Sequence, residues 1–170
     1  MFNRIKRYRK ALEQRLDFIA EKHDLFAVLI MESKPTSMEV FASNQQDVYK
    51  HGDAGYKSVV EFCKELYCER VVNQRASLLV LDAANDDEWS ENEDLVKFGL
   101  GVYYGIPLFY KDEVVGTVCT LNKVIYDFDA GTPSAREELD ELALYIQNLI
   151  KPDRANHTHQ SKISIIEKSD

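Results

Sequence analysis

One stretch of the chain, residues 66–123, constrains the fold more than any other. It places a short helical segment, an apolar strand at 77–81, a long acidic connection at 82–101 and two further strands in succession. A connection of this length inside a compact domain is usually functional or carries a short helix of its own. This order predicts a sheet with a covered face and a loop that can close a binding site over it.

The rest of the chain supplies further strands and helices. Short apolar or alternating runs between turn residues predict strands, and apolar residues at spacings of three and four predict helices. The predicted strands are residues 25–33, 38–44, 77–81, 103–110 and 114–121. The predicted helices are residues 3–22, residues 56–75, and a last helix that starts at Thr132-Pro133-Ser134 and ends at Pro152.

Mostly antiparallel strands flanked by helices predict an α+β fold with a central antiparallel sheet of five to six strands. The N- and C-terminal helices are expected side by side on one face. The length of 170 residues suits one domain with a sizeable core. We expect an N-terminal amphipathic helix in residues 1–24, the domain core in 25–151 and a polar tail or linker in 152–170.

Composition excludes several classes of function. The net charge of −8 disfavours nucleic acid as a direct partner, because an acidic surface repels phosphates. No run is apolar for the roughly 20 residues that a membrane span needs. Cys63, Cys68 and Cys119 are odd in number and lie in apolar segments. That usage is typical of reduced, packed thiols in the cytoplasm and not of a disulfide framework.

Five short motifs, in this order along the chain, resemble those of the GAF domain family. They are Tyr67-Cys68-Glu69, residues 79–83, residues 86–94 around Trp89, Tyr104-Gly105-Ile106-Pro107-Leu108 and residues 116–121. The resemblance covers residues 25–150 and is nearest to bacterial GAF sensor domains that precede histidine kinase or diguanylate cyclase modules. The chain departs from the family pattern at Glu93, where a proline is usual, and in the turn 111–113, which lacks the usual glycine.

The resemblance implies that a small molecule binds between the sheet and the lid, which we define as residues 82–101. Tyr103 and Tyr104 are adjacent in a strand and therefore point to opposite faces, so one of them should face the cavity. A phenol there would orient a polar or planar ligand. The predicted ligand-binding residues are Ser43, Tyr67, Cys68, Trp89, Leu100, Tyr103, Tyr104, Thr117 and Cys119.

Catalytic and cofactor functions are less favoured. Free methionine sulfoxide reductases use the same fold with cysteines in the lid region, and this lid has none. His51 is the only tenable haem ligand, and the Cys-His pair that suits a bilin is absent. The acidic lid lacks the glycine turn of a calcium loop. The cyclic-nucleotide signature is partial: Asn122-Lys123 and Phe128 are present without the Asp-Glu pair that follows. We predict no catalytic residue, metal or assigned cofactor.

The sequence therefore predicts a non-enzymatic sensory or regulatory domain. It would bind a small molecule under the lid and pass the change to terminal helices that form a homodimer. A kinase or cyclase output module is a further partner if the chain continues past its tail. The alternatives are a ligand-free domain that dimerises or docks a protein, and a thiol enzyme of the sulfoxide reductase type.

Overall fold

The computed structural model describes residues 1–151; residues 152–170, which contain the predicted tail and Pro152, lie outside the described part. Short 3₁₀ turns at Phe2–Arg4, Lys6–Tyr8 and Ala83–Asn85 accompany the regular elements. The helices are α1 (Arg9–His23), α2 (Tyr67–Gln74), α3 (Glu93–Phe98) and α4 (Ala135–Ile150). The strands are β1 (Ala27–Ser33), β2 (Ser37–Ser43), β3 (Ala54–Tyr56), β4 (Leu78–Val80), β5 (Val102–Tyr110) and β6 (Glu113–Asn122).

The strands form one six-stranded sheet in the order β3-β2-β1-β6-β5-β4. Every neighbouring pair is antiparallel. The predicted α+β class and antiparallel sheet are confirmed. β6 pairs with β1 on one side and with β5 on the other, so the two longest strands lie next to each other at the centre of the molecule.

The terminal helices α1 and α4 cover one face of the sheet, as predicted. Their apolar stripes are buried there, and the Nζ of Lys22 on α1 lies 2.5 Å from a carboxylate oxygen of Glu138 on α4. We expected these stripes to supply a dimer face. The stripes pack against the chain's own sheet, so a dimer formed through these helices would use other side chains. Large apolar side chains that stay exposed on the two helices are Phe18, Leu144 and Tyr145.

The opposite face of the sheet is covered by α2 and the lid. A second core lies here, and it includes Leu29, Tyr67, Val71, Trp89 and Tyr103. The lid carries its own helix, α3, which begins at Glu93 and has Asn92 as its N-cap. The Asn92 side chain accepts hydrogen bonds from the backbone N–H groups of Asp94 and Leu95 and so caps the helix.

The predicted helix at 56–75 is wrong over its first part. Residues 54–56 form the edge strand β3, and helix begins only at Tyr67. Glu69 explains the change, because its buried carboxylate accepts hydrogen bonds from the backbone N–H groups of Ser58 and Leu66 and from the Ser58 hydroxyl. These bonds cap α2 and hold 57–66 in an irregular path. Val59 and Phe62 in this segment are 70% and 94% exposed.

A bulge in the β5–β6 hairpin moves one side chain to the other face. The pairing passes from Leu108 opposite Gly116 to Phe109 opposite Val114, which leaves Val115 as the extra residue. Strict alternation along the strand would place Val115 on the same face as Cys119. Because of the bulge, Val115 packs instead in the core under α1 and α4.

No helix within residues 1–151 is long and apolar enough to cross a bilayer.

Two leucines of α4 test the packing of the terminal helices. Leu142 is completely buried, whereas Leu144 is 58% exposed. Leu142→Ala should lower the free energy of unfolding by about 2–5 kcal/mol, because it leaves a cavity in the core. The control Leu144→Ala should change it by less than about 0.5 kcal/mol. Urea unfolding followed by circular dichroism measures both, and equal effects would contradict the assignment of the buried face.

Candidate ligand-binding site

A cavity of about 220 Å³ lies between the sheet and the covering elements α2 and α3. Its floor is apolar and comes from β1, β2 and β6, and the long loop between β2 and β3 closes one side. Side chains that shape it include Leu29, Met31, Met38, Val40 and Leu121 from the strands. Tyr49, Asp94, Lys97 and Phe98 border it from the loop and from α3.

The cavity brings together four of the predicted residues, which are Tyr67, Cys68, Tyr103 and Cys119. Tyr67 comes from the first turn of α2, and its ring stacks on that of Tyr103 with centroids 5.0 Å apart and planes 25° apart. The two rings form the aromatic end of the cavity. A planar ligand could extend this stack.

Trp89 and Leu100 lie behind this wall and do not line the cavity. The Trp89 ring is buried against that of Tyr67 at 5.0 Å, and the Arg70 guanidinium covers it at 5.0 Å. The Tyr67 hydroxyl donates a hydrogen bond to the Leu100 carbonyl oxygen at 3.3 Å. Both residues therefore hold Tyr67 in place.

Tyr104 lies on the other face of the sheet, in the core under α1 and α4. Its hydroxyl donates to an Asp140 carboxylate oxygen at 3.4 Å, and the Arg136 guanidinium lies 4.6 Å from its ring centroid. The alternation along β5 thus makes Tyr103, and not Tyr104, the residue that faces the cavity.

Ser43 and Thr117 are buried but do not line the cavity. The Ser43 hydroxyl accepts a hydrogen bond from the Gln45 backbone N–H at 2.8 Å, which fixes the end of β2. Thr117 lies two residues from Cys119 on the same face of β6. Its hydroxyl has no hydrogen-bond partner within residues 1–151.

A glycine allows the Tyr103 ring to lie flat along its own strand. A β-carbon at Gly105 would lie 2.0 Å from the Tyr103 hydroxyl oxygen, so only glycine leaves room for the ring. Among the described residues, the Cys119 thiol beside it is its one polar neighbour, and a thiol is only a weak hydrogen-bond partner. A buried hydroxyl without a strong partner is costly, so it favours a polar group placed next to it.

The two thiols of the cavity are not activated for nucleophilic attack. Cys68 and Cys119 are free and buried. Burial raises the pKa of Cys119 to about 12 and raises that of Cys68 well above its usual range. Burial therefore favours the neutral thiol over the reactive thiolate at both positions.

Sequence reasoning missed Tyr49 and Asp94, which lie together at the cavity. The Tyr49 hydroxyl donates to Oδ1 of Asp94 at 2.7 Å, and this bond joins the β2–β3 loop to α3. Burial raises the pKa of Asp94, and the bond from Tyr49 opposes that rise. The acidic first turn of a capped helix was readable in the sequence, but the direction of its side chains depended on how the lid docks.

His51, the candidate haem ligand, lies outside the cavity lining. Its Nδ1 is 2.9 Å from the Phe41 carbonyl oxygen, and its ring packs edge-on against the Phe41 ring. Nor do residues 1–151 contain a group of three or more His, Cys, Asp or Glu side chains arranged for a metal.

Alkylation can test the state of the thiols. At neutral pH, iodoacetamide should modify the partly exposed Cys63 first and leave Cys68 and Cys119 intact, since both are buried and protonated. Peptide mass spectrometry locates the label, and all three should react in denaturant as a control. Rapid labelling of Cys68 or Cys119 in the folded protein would show an activated thiol.

Asp94 should make stability depend on pH. Its pKa lies above the ordinary value of 3.8, so in the interval between the two values the folded state binds more protons than the unfolded state. Stability from this group is therefore lost as pH rises through that interval. Asp94→Asn does not titrate, so its stability relative to the wild type should increase from about pH 4 to about pH 7. Urea unfolding at several pH values measures the free energy of unfolding of both proteins. The exposed Asp87→Asn is the control for the change in net charge. A stability of Asp94→Asn relative to the wild type that falls over this pH range would contradict the prediction.

No protein-family model and no curated protein matches this chain. Solved structures do match it. The GAF domain of an Acinetobacter phosphoenolpyruvate-protein phosphotransferase is similar with a TM-score of 0.62 at 14% identity, over 83% of this chain and 80% of that one. The corresponding domain from Coxiella burnetii gives a TM-score of 0.62 at 14% identity, over 84% and 81%.

A type II free methionine-R-sulfoxide reductase from Thermoplasma acidophilum is nearly as similar. It gives a TM-score of 0.60 at 12% identity, over 85% of this chain and 94% of that one. Identities this low establish the fold alone. The protein therefore has the GAF fold, in the form that GAF domains share with a free methionine-R-sulfoxide reductase.

Proposed function

We propose that this protein is a non-enzymatic sensory or regulatory domain that binds a small molecule in the cavity between the sheet and α3. One observation carries the proposal: an apolar cavity into which a few polar groups converge, which is the usual form of a ligand site. The ligand contacts proposed from the sequence are retained for Tyr67, Cys68, Tyr103 and Cys119, and Asp94 is added to them.

The size of the cavity favours a small metabolite. At about 30 Å³ per molecule of liquid water, 220 Å³ corresponds to about seven waters. Sites for drug-sized ligands are larger, at about 300–1,000 Å³. A cavity of this size favours a ligand smaller than haem or a cyclic nucleotide.

The central strand gives a physical route from the ligand to the terminal helices. On β6, Cys119 faces the cavity, and its neighbour Val118 is buried in the core under α1 and α4. A ligand that binds one lid arrangement better than another shifts the balance between them by that difference in affinity. A displacement of β6 would then change the packing of α1 and α4 on the sheet.

The proposal includes a homodimer formed through α1 and α4. The exposed apolar side chains of Phe18, Leu144 and Tyr145 support this dimer, because the main apolar stripes of the two helices are buried within the chain. A kinase or cyclase module remains a proposed output partner. A cytoplasmic location is proposed from the three free thiols.

A thiol enzyme is the second candidate, because two cysteines line the cavity of a fold that a sulfoxide reductase also uses. The neutral state of both thiols argues against it. A ligand-free docking domain is the third candidate, and a cavity bordered by polar groups argues against that.

Native mass spectrometry of the purified protein tests the proposal. The native mass should exceed twice the denatured chain mass by that of bound molecules, which would show both the dimer and the ligand. Val40→Phe places a ring in the cavity and should abolish the added mass. Val96→Phe is the matched control, because Val96 is 70% exposed on α3.

Two results would contradict the proposal. An added mass that survives Val40→Phe would place the bound molecule elsewhere. A bare native mass, with reduction of free methionine sulfoxide that Cys68→Ser or Cys119→Ser abolishes, would favour the thiol enzyme.

A further inference from the structure

The cavity is bordered by a half-buried carboxylate that forms no ion pair with a basic side chain among residues 1–151. Asp94 lies in the first turn of α3 and borders the cavity. Its one side-chain hydrogen bond within the described chain comes from the Tyr49 hydroxyl, and none of the ion pairs among residues 1–151 includes it. A half-buried carboxylate with a single neutral donor is incompletely solvated, so a cation placed beside it would be bound favourably.

The other charges at the cavity add to this preference. Lys97 is the one basic side chain in the lining, and its ammonium group is paired with Glu93 one helical turn earlier. The third carboxylate of the lining belongs to Asp53, whose Oδ2 accepts a hydrogen bond from the Lys50 backbone N–H at 2.8 Å. With three carboxylates and one ammonium group, the lining attracts cations and repels anions.

Aromatic rings complete the environment that a cation prefers. Tyr49, Tyr67 and Phe98 line the cavity together with Asp94, and the Tyr49 and Phe98 rings meet edge-on at 5.9 Å. The face of an aromatic ring attracts an ammonium group within about 6 Å. The remaining wall is aliphatic and suits a short apolar body.

We infer that the cavity takes a small organic cation, a primary ammonium group on a short apolar body, with the ammonium group held by the Asp94 carboxylate. This inference rests on the proposed function and adds the chemical class of its ligand. The body lies against the strand floor and the Tyr67–Tyr103 stack. The Tyr49 hydroxyl keeps the Asp94 carboxylate oriented through its hydrogen bond to Oδ1.

Three probes with a similar phenyl body and different head groups test the inference. Phenethylamine is a cation at neutral pH, phenethyl alcohol is neutral and hydrocinnamate is an anion. Isothermal titration calorimetry of the wild-type protein should give the affinity order amine, alcohol, carboxylate. Asp94→Asn should weaken amine binding by at least about tenfold and leave alcohol binding nearly unchanged.

Asp87→Asn is the matched control, because it removes the same charge from an exposed lid position outside the cavity. Binding of the amine to this control should equal that of the wild type. Thermal unfolding shows whether each variant is folded. If Asp94→Asn folds poorly, the order of affinities of the three probes for the wild type still tests the inference.

The inference is overturned if the alcohol or the carboxylate binds the wild type more tightly than the amine, or if folded Asp94→Asn keeps full amine affinity. Either result would leave the proposed function standing with a different ligand class. If none of the three probes binds, the inference is likewise overturned. The native mass spectrometry experiment then tests the proposed function separately, through the mass added by a bound molecule.

Discussion

The pairing of β6 with both β1 and β5 is the constraint on which the rest of the structure depends. It places one strand at the centre of a sheet that is covered on both sides, so successive residues of β6 serve two different cores. Val118 belongs to the core under α1 and α4, whereas Cys119 faces the lid. A strand buried on both faces cannot move without disturbing both layers, which makes it a mechanical link between them.

The two layers differ in how completely they are filled. The core under α1 and α4 is built from long apolar stripes and gives the molecule its stability. On the lid side, the rings of Tyr67, Trp89 and Tyr103 pack at 5.0 Å between the lid and the sheet, and the cavity lies next to them. Next to the cavity lies the half-buried Asp94 carboxylate on the short helix α3. Such a group lowers the stability of the empty domain and is typical of a site shaped by binding.

Local sequence patterns were sufficient for five of the six strands, the terminal helices and the lid, but not for the edge strand β3. Tertiary contacts decided what the patterns could not. The periodicity at 56–75 favoured a helix, but the carboxylate of Glu69 binds the backbone near Ser58 and keeps that segment irregular. Val115 changed face because of a bulge, which alternation does not reveal. The sequence predicted that one of Tyr103 and Tyr104 faces the cavity, but only the arrangement of the helices on the two faces of the sheet shows that it is Tyr103. Asp94 was hidden among the acidic residues of the lid, since charge alone does not say which carboxylate turns inward.

A crystal structure of the protein as purified, without added ligand, would test the central claim most directly. The account predicts an open cavity between β1, β2, β6 and α3, with electron density for a small molecule next to the Asp94 carboxylate and the Tyr67 ring. A lid packed directly on the strands, with the rings of Tyr49 and Phe98 filling the space, would contradict it and would favour a domain that only docks or dimerises.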